Sequence, residues 1–285
     1  MPDPSGDYSP TIRRRRLSEE LRQLRAAKGY TLEQAAEKLE WSRAKIANIE
    51  TGKRLRPYVS DVGLLLDVYE VTNPARREAL LELTRQSRAK GWWTSYGDLL
   101  AGAYIGLEAE ASSIATYQVG AIPGLLQTAH YAAASARAAL NAPDDVERGV
   151  DIRMRRQQIL RRDNPPRLWA IIDEAALVRP ATSDAPEVMR EQIRHLIACA
   201  KGANTITIQV LPFSKGLHAG TGGPFVLLDF PNPMDRPIVY LETRNDGLYL
   251  EKQEEIADYR DVLDHLKGTA LSPSESIAHL TQRID

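Results

Sequence analysis

The chain has 285 residues, of which 43% are hydrophobic, and 37 Lys and Arg nearly balance 38 Asp and Glu. Such a chain is long enough for two domains with separate cores, and its single cysteine, Cys199, excludes a disulfide framework and favours a reducing compartment. No apolar run approaches the roughly 18 residues that a membrane span needs, so we expect a cytoplasmic protein.

Charge is distributed unevenly along the chain. Residues 1–90 carry 18 Lys and Arg against 13 Asp and Glu, whereas the remaining residues carry 19 against 25. The net charges of +5 and −6 indicate a basic N-terminal head on an acidic body. A basic head suits DNA, because Lys and Arg side chains that neutralise phosphates supply most of the nonspecific affinity.

The arginine run Arg13–Arg16 follows a start that is rich in Pro, Ser and Gly. This composition predicts a flexible basic arm over residues 1–15, which would lie along phosphates or enter a minor groove. A charged tail that only interacts with solvent is the alternative.

Residues 16–57 have the periodicity of three short helices. The first has an apolar stripe at positions i, i+4 and i+7, formed by Leu17, Leu21 and Leu24. Gly29 ends this helix, Thr31 caps a second, and Ser42 caps a third. The inner faces of the second and third helices are formed by Leu32, Ala35, Ala36, Leu39, Ile46 and Ile49. The third helix ends at Gly52, and its exposed face is typical of a recognition helix.

This stretch resembles the lambda-repressor-like, XRE-type helix-turn-helix. The resemblance implies a partly buried ion pair between Arg25 and Glu50, which ties the first helix to the third. Leu32 departs from the family pattern, because phage repressors often have a DNA-contacting Gln at that position. A five-helix bundle that merely packs, with a charged solvated face, is the alternative.

The resemblance also implies which residues contact DNA. The base-reading positions are Arg43, Ala44 and Asn48, where Arg43 would bind guanine O6 and N7 and Asn48 adenine N6 and N7. The residues expected near phosphates are Ser42, Thr51, Lys53, Arg54 and Arg56. Lys45, on the flank of the third helix, completes the expected DNA-binding set.

Two further helices, Ser60–Tyr69 and Asn73–Arg88, are predicted to complete a five-helix head over residues 16–90. The second of them has the start signal of a proline at its first position, Pro74. The segment Gly91–Trp93 is the expected linker, and we expect its two tryptophans to pack between domains rather than stack on bases.

The body, residues 91–285, begins with helices and continues with short strands that Pro, Gly or Asn bound. The predicted helices are Leu107–Tyr117, Leu125–Leu140, Asp144–Leu160, Pro186–Lys201, Lys252–Leu266 and Pro273–Ile284. The predicted strands are Leu168–Ile172, Thr205–Val210, Phe225–Phe230 and Ile238–Leu241. The expected fold is therefore multidomain, an all-α helix-turn-helix head followed by an α+β regulatory domain.

The body resembles a second family over most of its length. The similar strings are AIPGLLQTAHYA (121–132), RMRRQQIL (153–160), WAIIDEAAL (169–177), QVLPFSKGLHAG (209–220) and VYLETRNDGLYLE (239–251). They resemble the C-terminal domain that follows XRE-type heads in a large group of actinobacterial regulators. That group is described as antitoxin-like and is often encoded beside a small acidic protein, so the resemblance implies a partner but no mechanism.

The pattern of polar residues in the body does not favour catalysis. Asp173 and Glu174 end an apolar strand, where neighbours point to opposite faces and share no proton unless the backbone turns between them. The five histidines lack metal-ligand spacing, and the glycine-rich Gly216–Gly223 precedes a strand, whereas a phosphate loop opens a helix. We therefore expect a protein that is not an enzyme and needs no metal or cofactor.

Five polar residues of the body lie within apolar strings, where burial requires hydrogen-bond partners. They are Gln127, Arg156, Gln157, Asp173 and Gln209. Either they bind a partner, or they satisfy one another and the nearby backbone. We expect a homodimeric, sequence-specific transcriptional regulator that binds double-stranded DNA and whose body senses a partner protein or a small molecule. The alternative is an antitoxin-like protein that sequesters a small partner protein and binds DNA for autoregulation.

Overall fold

The computed structural model describes residues 10–89, 102–139, 143–183, 185–233, 235–243 and 247–284. The chain divides into two compact units, residues 1–95 and 96–285, which we call the head and the body. Each unit has its own hydrophobic core. The predicted linker Gly91–Trp93 and residues 1–9 of the predicted arm lie outside the described residues.

The described part of the head consists of five helices. They are α1 (Pro10–Ala27), α2 (Leu32–Leu39), α3 (Arg43–Glu50), α4 (Val59–Val68) and α5 (Pro74–Ser87). The predicted inward-facing residues form its core: the leucine stripe of α1, Ala35 and Ala36 of α2, and Ile46 and Ile49 of α3 are all buried. Gly29 turns the chain between α1 and α2 with a φ of 69°, a left-handed conformation that glycine adopts without a side-chain clash.

The predicted flexible arm is wrong for residues 10–15, because α1 begins at Pro10 and contains Arg13–Arg16. Arginine is a good helix former, so the run does not oppose the helix. Ile12 is 4% exposed, and the burial of its side chain stabilises the first turn of α1, which was predicted to be flexible. The arginines of this run are therefore part of a half-buried helix.

The body is built on one six-stranded mixed sheet. Its strands are β1 (Ser113–Gln118), β2 (Arg167–Asp173), β3 (Ile206–Leu211), β4 (Phe225–Asp229), β5 (Ile238–Glu242) and β6 (Gly247–Leu250). Their order is β3-β2-β1-β4-β5-β6, and β1, β2 and β3 are parallel whereas β4, β5 and β6 pair antiparallel. The sheet confirms the expected α+β class.

Seven α-helices accompany this sheet in the described residues of the body. They are α6 (Gly102–Glu110), α7 (Ala129–Ala139), α8 (Pro143–Arg156), α9 (Glu174–Val178), α10 (Pro186–Gly202), α11 (Gln253–Thr269) and α12 (Pro273–Thr281). One face of the sheet packs against α11, where Tyr117 and Phe225 meet Leu263 and Leu266 in the core. No helix of the described residues is both long and apolar enough to cross a membrane.

The predicted helix Leu107–Tyr117 is wrong, because α6 ends at Glu110 and β1 follows it. Ile114 shows the reason: this residue pairs with Leu168 of β2 on one side and with Leu228 of β4 on the other. Partners more than 50 residues away decide its conformation, and they override the local pattern. The edge strand β6 was not predicted either.

Two other predicted helices are shorter than expected. The segment predicted as Leu125–Leu140 begins with a 3-10 turn, Gly124–Leu126, and the helix itself starts at Ala129. The segment predicted as Asp144–Leu160 leaves the α conformation after Arg156 and ends in a 3-10 turn, Gln157–Arg161. As a result, the side chains of Gln127 and Gln157 donate hydrogen bonds to the backbone of the segment that connects β1 to α7.

Candidate nucleic-acid interface

Caps define both ends of α2 and the start of α3. Thr31 accepts a hydrogen bond from the backbone of Gln34 at 3.2 Å, and the side chain of Gln34 accepts one from the backbone of Thr31 at 2.9 Å. Glu40 ends α2 in the left-handed conformation, with a φ of 54°. Ser42 then caps α3 by accepting a hydrogen bond from the backbone of Lys45 at 3.2 Å. This tight geometry fixes the direction of α3 relative to α2.

One carboxylate on the buried side of α3 joins three helices. Glu50, whose side chain is 3% exposed, accepts hydrogen bonds from Nε of Arg25 at 2.9 and 3.0 Å. It also accepts one from the hydroxyl of Tyr69 at 2.7 Å. Arg25 in turn donates from Nη1 to the carbonyl of Tyr30 at 2.8 Å. The implied ion pair is present. The third partner, Tyr69, follows α4 directly and reaches Glu50 only through the packing of the helices, so its role was not predicted.

The opposite side of α3 is open to solvent. The implied base-reading residues Arg43, Ala44 and Asn48 are all exposed, as are Ser42 and Thr51 at the two ends of the helix. Nε of Arg43 lies 2.5 Å from the carboxylate of Glu33 at the start of α2. The structure thus brings the implied base-reading set onto one accessible face.

Lys45 lies differently from the other implied DNA-binding residues. Its ammonium group lies 3.4 Å from the centre of the Trp41 ring and 3.0 Å from a carboxylate oxygen of Asp61 on α4. The cation therefore already contacts an aromatic face and an acidic side chain inside the head. This placement assigns Lys45 to the packing of α3 against α4.

The loop after α3 carries a cluster of cations and aromatic surface. Lys53 and Arg56 are exposed, and Arg54 is half-buried. The guanidinium groups of Arg54 and Arg88 lie 5.1 and 5.3 Å from the ring centre of Tyr58. Arg88 also donates to the carbonyl of Pro57 at 3.1 Å. Sequence reasoning missed Arg88, because it follows α5 and reaches this loop only through the fold.

In the body, two of the five polar candidates support one stretch of backbone. Gln127 donates to the carbonyl of Ile122 at 2.8 Å and accepts from Arg153 at 2.6 Å. Gln157 donates to the carbonyls of Gly124 and Gln127 at 3.1 and 2.7 Å. These bonds satisfy the buried amide of Gln127 and the half-buried amide of Gln157 without a ligand.

Arg156, another of the five candidates, lines a small cavity of about 30 Å³ beside β1. Its guanidinium donates to both carboxylate oxygens of Glu108 at 2.7 and 2.8 Å, and the hydroxyl of Tyr104 donates to the same carboxylate at 2.9 Å. Glu108 is 2% exposed. Burial, and then the charge of Glu108, raise the pKa of Tyr104 well above its ordinary value. Arg156 therefore neutralises a buried carboxylate as well as lining the cavity.

Gln209 has hydrogen-bond partners on every side within the fold. Its amide nitrogen donates to the carbonyls of Lys267 and Leu271 at 3.2 and 2.8 Å, and its oxygen accepts from the indole of Trp169 at 2.8 Å. The side chain thus joins β3 to the connection between α11 and α12. Of the two expectations for these polar residues, Gln209 therefore follows the second: it satisfies groups of the fold rather than a binding partner.

Asp173 and Glu174 diverge at the carboxyl end of β2. Asp173 caps α9 through the backbone of Ala175 at 2.9 Å and accepts from the hydroxyl of Tyr117 at 3.2 Å. Glu174 instead accepts from the backbone of Phe213 at 2.7 Å and pairs with Arg283. The two carboxylates therefore have separate partners. Within the described ranges, no group of three or more His, Cys, Asp or Glu is arranged to hold a metal ion.

The loop 212–224, which connects β3 to β4, is anchored at the carboxyl ends of β1 and β2. His218 lies 3.7 Å from the carboxylate of Asp173 and 3.5 Å from the hydroxyl of Tyr117. Gly220 packs directly on the Tyr117 ring, where a Cβ atom would lie 2.4 Å from a ring carbon. Leu217, which precedes the anchor, is 93% exposed, and Phe213 is 60% exposed. The loop therefore presents apolar side chains to solvent from a fixed backbone.

Comparisons with known families divide the chain in a similar way. A helix-turn-helix domain model matches residues 16–80, and the model of a domain of unknown function, DUF5753, matches residues 101–282. No curated protein and no solved structure matches the chain significantly. The helix-turn-helix match agrees with the α2–turn–α3 geometry and supports a DNA-binding regulator.

Proposed function

Because the chain belongs to the DUF5753 family and carries a helix-turn-helix head, we propose that it is a sequence-specific transcriptional regulator whose body responds to a partner. The head reads operator DNA through α3, and the body sets the affinity of that interaction. An effector changes operator affinity only through its different affinities for the DNA-competent and DNA-incompetent states.

The exposed face of α3 is the observation that carries this proposal. Arg43 and Asn48 are exposed there, whereas Ile46, Ile49 and Glu50 hold the other side of the helix in the core. Side chains of these two types form bidentate contacts with guanine and adenine in the major groove. The cations of the following loop, Lys53 among them, lie where phosphate contacts are expected.

In vitro selection from random duplexes, carried out with the full chain, tests this function. We expect one enriched operator, bound about 10³-fold or more tightly than a shuffled duplex at physiological salt. Affinity for both duplexes should fall as salt rises, because phosphate contacts release counterions. Selection without enrichment, or equal affinity for the two duplexes, would refute sequence-specific regulation.

We further propose that a partner protein binds the body through the loop 212–224. The observation in favour is the exposure of Phe213 and Leu217 on a loop that Glu174 and His218 hold in place. Contiguous exposed apolar patches mark interaction surfaces, and we propose that these two side chains of one loop belong to such a patch. A small-molecule effector is the other form of partner, but the cavity beside Arg156, at about 30 Å³, is too small to be its site.

The same exposed loop also favours the alternative function, an antitoxin-like protein that sequesters a small acidic partner protein. The two functions differ in what the partner does to DNA binding. A regulator binds its operator without the partner and releases or tightens it on addition, whereas sequestration requires a stable complex whose formation is independent of DNA. Copurification followed by titration of the operator distinguishes them.

We propose that the protein works as a homodimer formed through the body. α3 has eight residues and one such helix reads only a few base pairs, whereas a dimer reads two half-sites about 34 Å apart for each helical turn. The head alone, residues 1–90, should then bind the operator far more weakly than the full chain. A monomer at micromolar concentration in sedimentation experiments, with full operator affinity in the isolated head, would contradict the dimer.

A further inference from the structure

We propose that Glu33 is a positioning residue that sharpens the base preference of Arg43, an inference that rests on the proposed DNA-binding function. Glu33 is the second residue of α2 and Arg43 is the first residue of α3. The carboxylate Oε1 of Glu33 lies 2.5 Å from Nε of Arg43, and both side chains are more than 60% exposed. The pair therefore lies at the surface and joins the N-terminal turns of α2 and α3.

The geometry of this contact leaves the end of the guanidinium available for a base. Glu33 contacts Arg43 through Nε, so Nη1 and Nη2 keep the N–H groups that match O6 and N7 of guanine. Within residues 10–89, no other ion pair engages Arg43. The guanidinium of Arg43 therefore contacts Glu33 through Nε and keeps Nη1 and Nη2 available for a base.

The carboxylate of Glu33 is itself held in place and ionised. The pKa of Glu33 lies below its ordinary value, first because its own backbone N–H bonds to the carboxylate, and then because of the charge of Arg43. The hydroxyl of Thr31, which caps α2, contributes in the same direction. Glu33 is thus a negatively charged acceptor in the first turn of α2.

Two opposite effects on DNA binding follow from this arrangement. A long arginine side chain loses conformational freedom when it binds a base, and ordering it beforehand lowers that cost for the correct base alone. A negative charge near the phosphates lowers the affinity for every DNA sequence. Glu33 therefore exchanges nonspecific affinity for discrimination.

The test compares Glu33→Gln with Glu37→Gln in the full chain. Glu37 is an exposed carboxylate one turn further along α2, so its substitution removes the same charge and serves as the control. Affinities are measured for the operator selected with the unmodified protein and for its shuffled duplex. Glu33→Gln should lower the operator-to-shuffled ratio about fivefold, or about 1 kcal/mol, whereas Glu37→Gln should leave that ratio within twofold.

A double-mutant cycle shows whether Glu33 acts through Arg43. In an Arg43→Ala background, Glu33→Gln should leave the ratio unchanged, because no guanidinium remains to be held. A persistent effect in that background would mean that Glu33 contacts a base directly, as a carboxylate does with the cytosine amino group, and would overturn the inference. An unchanged ratio in the single variant, with the operator still preferred, would also overturn it. Failure to obtain any operator would instead refute the proposed function.

Discussion

Arg25 and Glu50 lie 25 positions apart in the chain and are joined by two hydrogen bonds of 2.9 and 3.0 Å from one nitrogen, Nε of the arginine. The carboxylate is the more buried partner, with 3% of its side chain exposed against 16% for the arginine. Removing the arginine therefore leaves a desolvated negative charge, which is more costly than the loss of a surface ion pair.

We expect Arg25→Ala to destabilise the head by about 3 kcal/mol, because the Glu50 carboxylate then loses its cation and, within residues 10–89, keeps the neutral hydroxyl of Tyr69 as its side-chain partner. Thermal unfolding followed by circular dichroism measures this loss. Arg22→Ala is the control, since Arg22 lies on the same helix, is 53% exposed and pairs with Glu19 at the surface. Equal melting temperatures for the two variants would show that the buried pair contributes no more than a surface pair.

Arg43→Ala and Asn48→Ala should each lower the preference for the operator over shuffled DNA by about 1 to 3 kcal/mol. The expected loss is confined to discrimination, because both side chains are exposed on α3 and are absent from the buried core. Affinity measurements on the two duplexes give the result directly. Undiminished preference in the double variant would exclude this face of α3 as the base-reading surface.

Lys45 and Lys53 should respond differently to substitution. Lys45→Ala should lower the stability of the head by about 1 kcal/mol, since its ammonium group contacts Trp41 and Asp61. Lys53→Ala should instead reduce the slope of log affinity against log salt by about 0.9, as expected for one lost phosphate contact. A similar change of slope in Lys45→Ala would place this lysine at the DNA after all.

Arg156→Ala should destabilise the body by about 3 to 5 kcal/mol, because Glu108 is left buried without its cation. Arg156→Lys should not restore stability, since an ammonium group cannot make the paired contact to both carboxylate oxygens. Differential scanning calorimetry of the full chain measures both variants against Arg155→Ala, whose side chain is exposed. An unchanged melting temperature of the body in Arg156→Ala would contradict this structural role and would leave Arg156 available to bind a ligand directly.

The head was predictable because its signals are local. The caps Thr31 and Ser42 and the proline at the start of α5 act on neighbouring backbone, and the structure places all three where the sequence indicated them. The apolar periodicity of α1 likewise depends on residues one or two turns apart. Base contacts remain a prediction, because they depend on DNA that the sequence does not specify.

The body was less predictable because its contacts join distant residues. Ile114 becomes part of a strand only when two other segments flank it. The anchoring of His218 on Asp173 joins positions 45 residues apart, and no spacing rule covers such a contact. The polar candidates showed the same limit: the sequence indicated that Gln209 needs partners, but the three groups that satisfy it come from other elements.

The order of strands in the sheet has a consequence for the synthesis of the protein. β1 lies between β2 and β4, so the centre of the sheet forms only after the chain has reached Asp229, more than 100 residues beyond β1. The described part of the head is a small helical unit, and helical domains generally fold faster than sheets with distant pairing. During translation, the head should therefore fold before the body that is proposed to control it. Substitutions that unfold the body are then expected to leave a folded head that, like the isolated head, binds the operator only weakly and no longer responds to the partner.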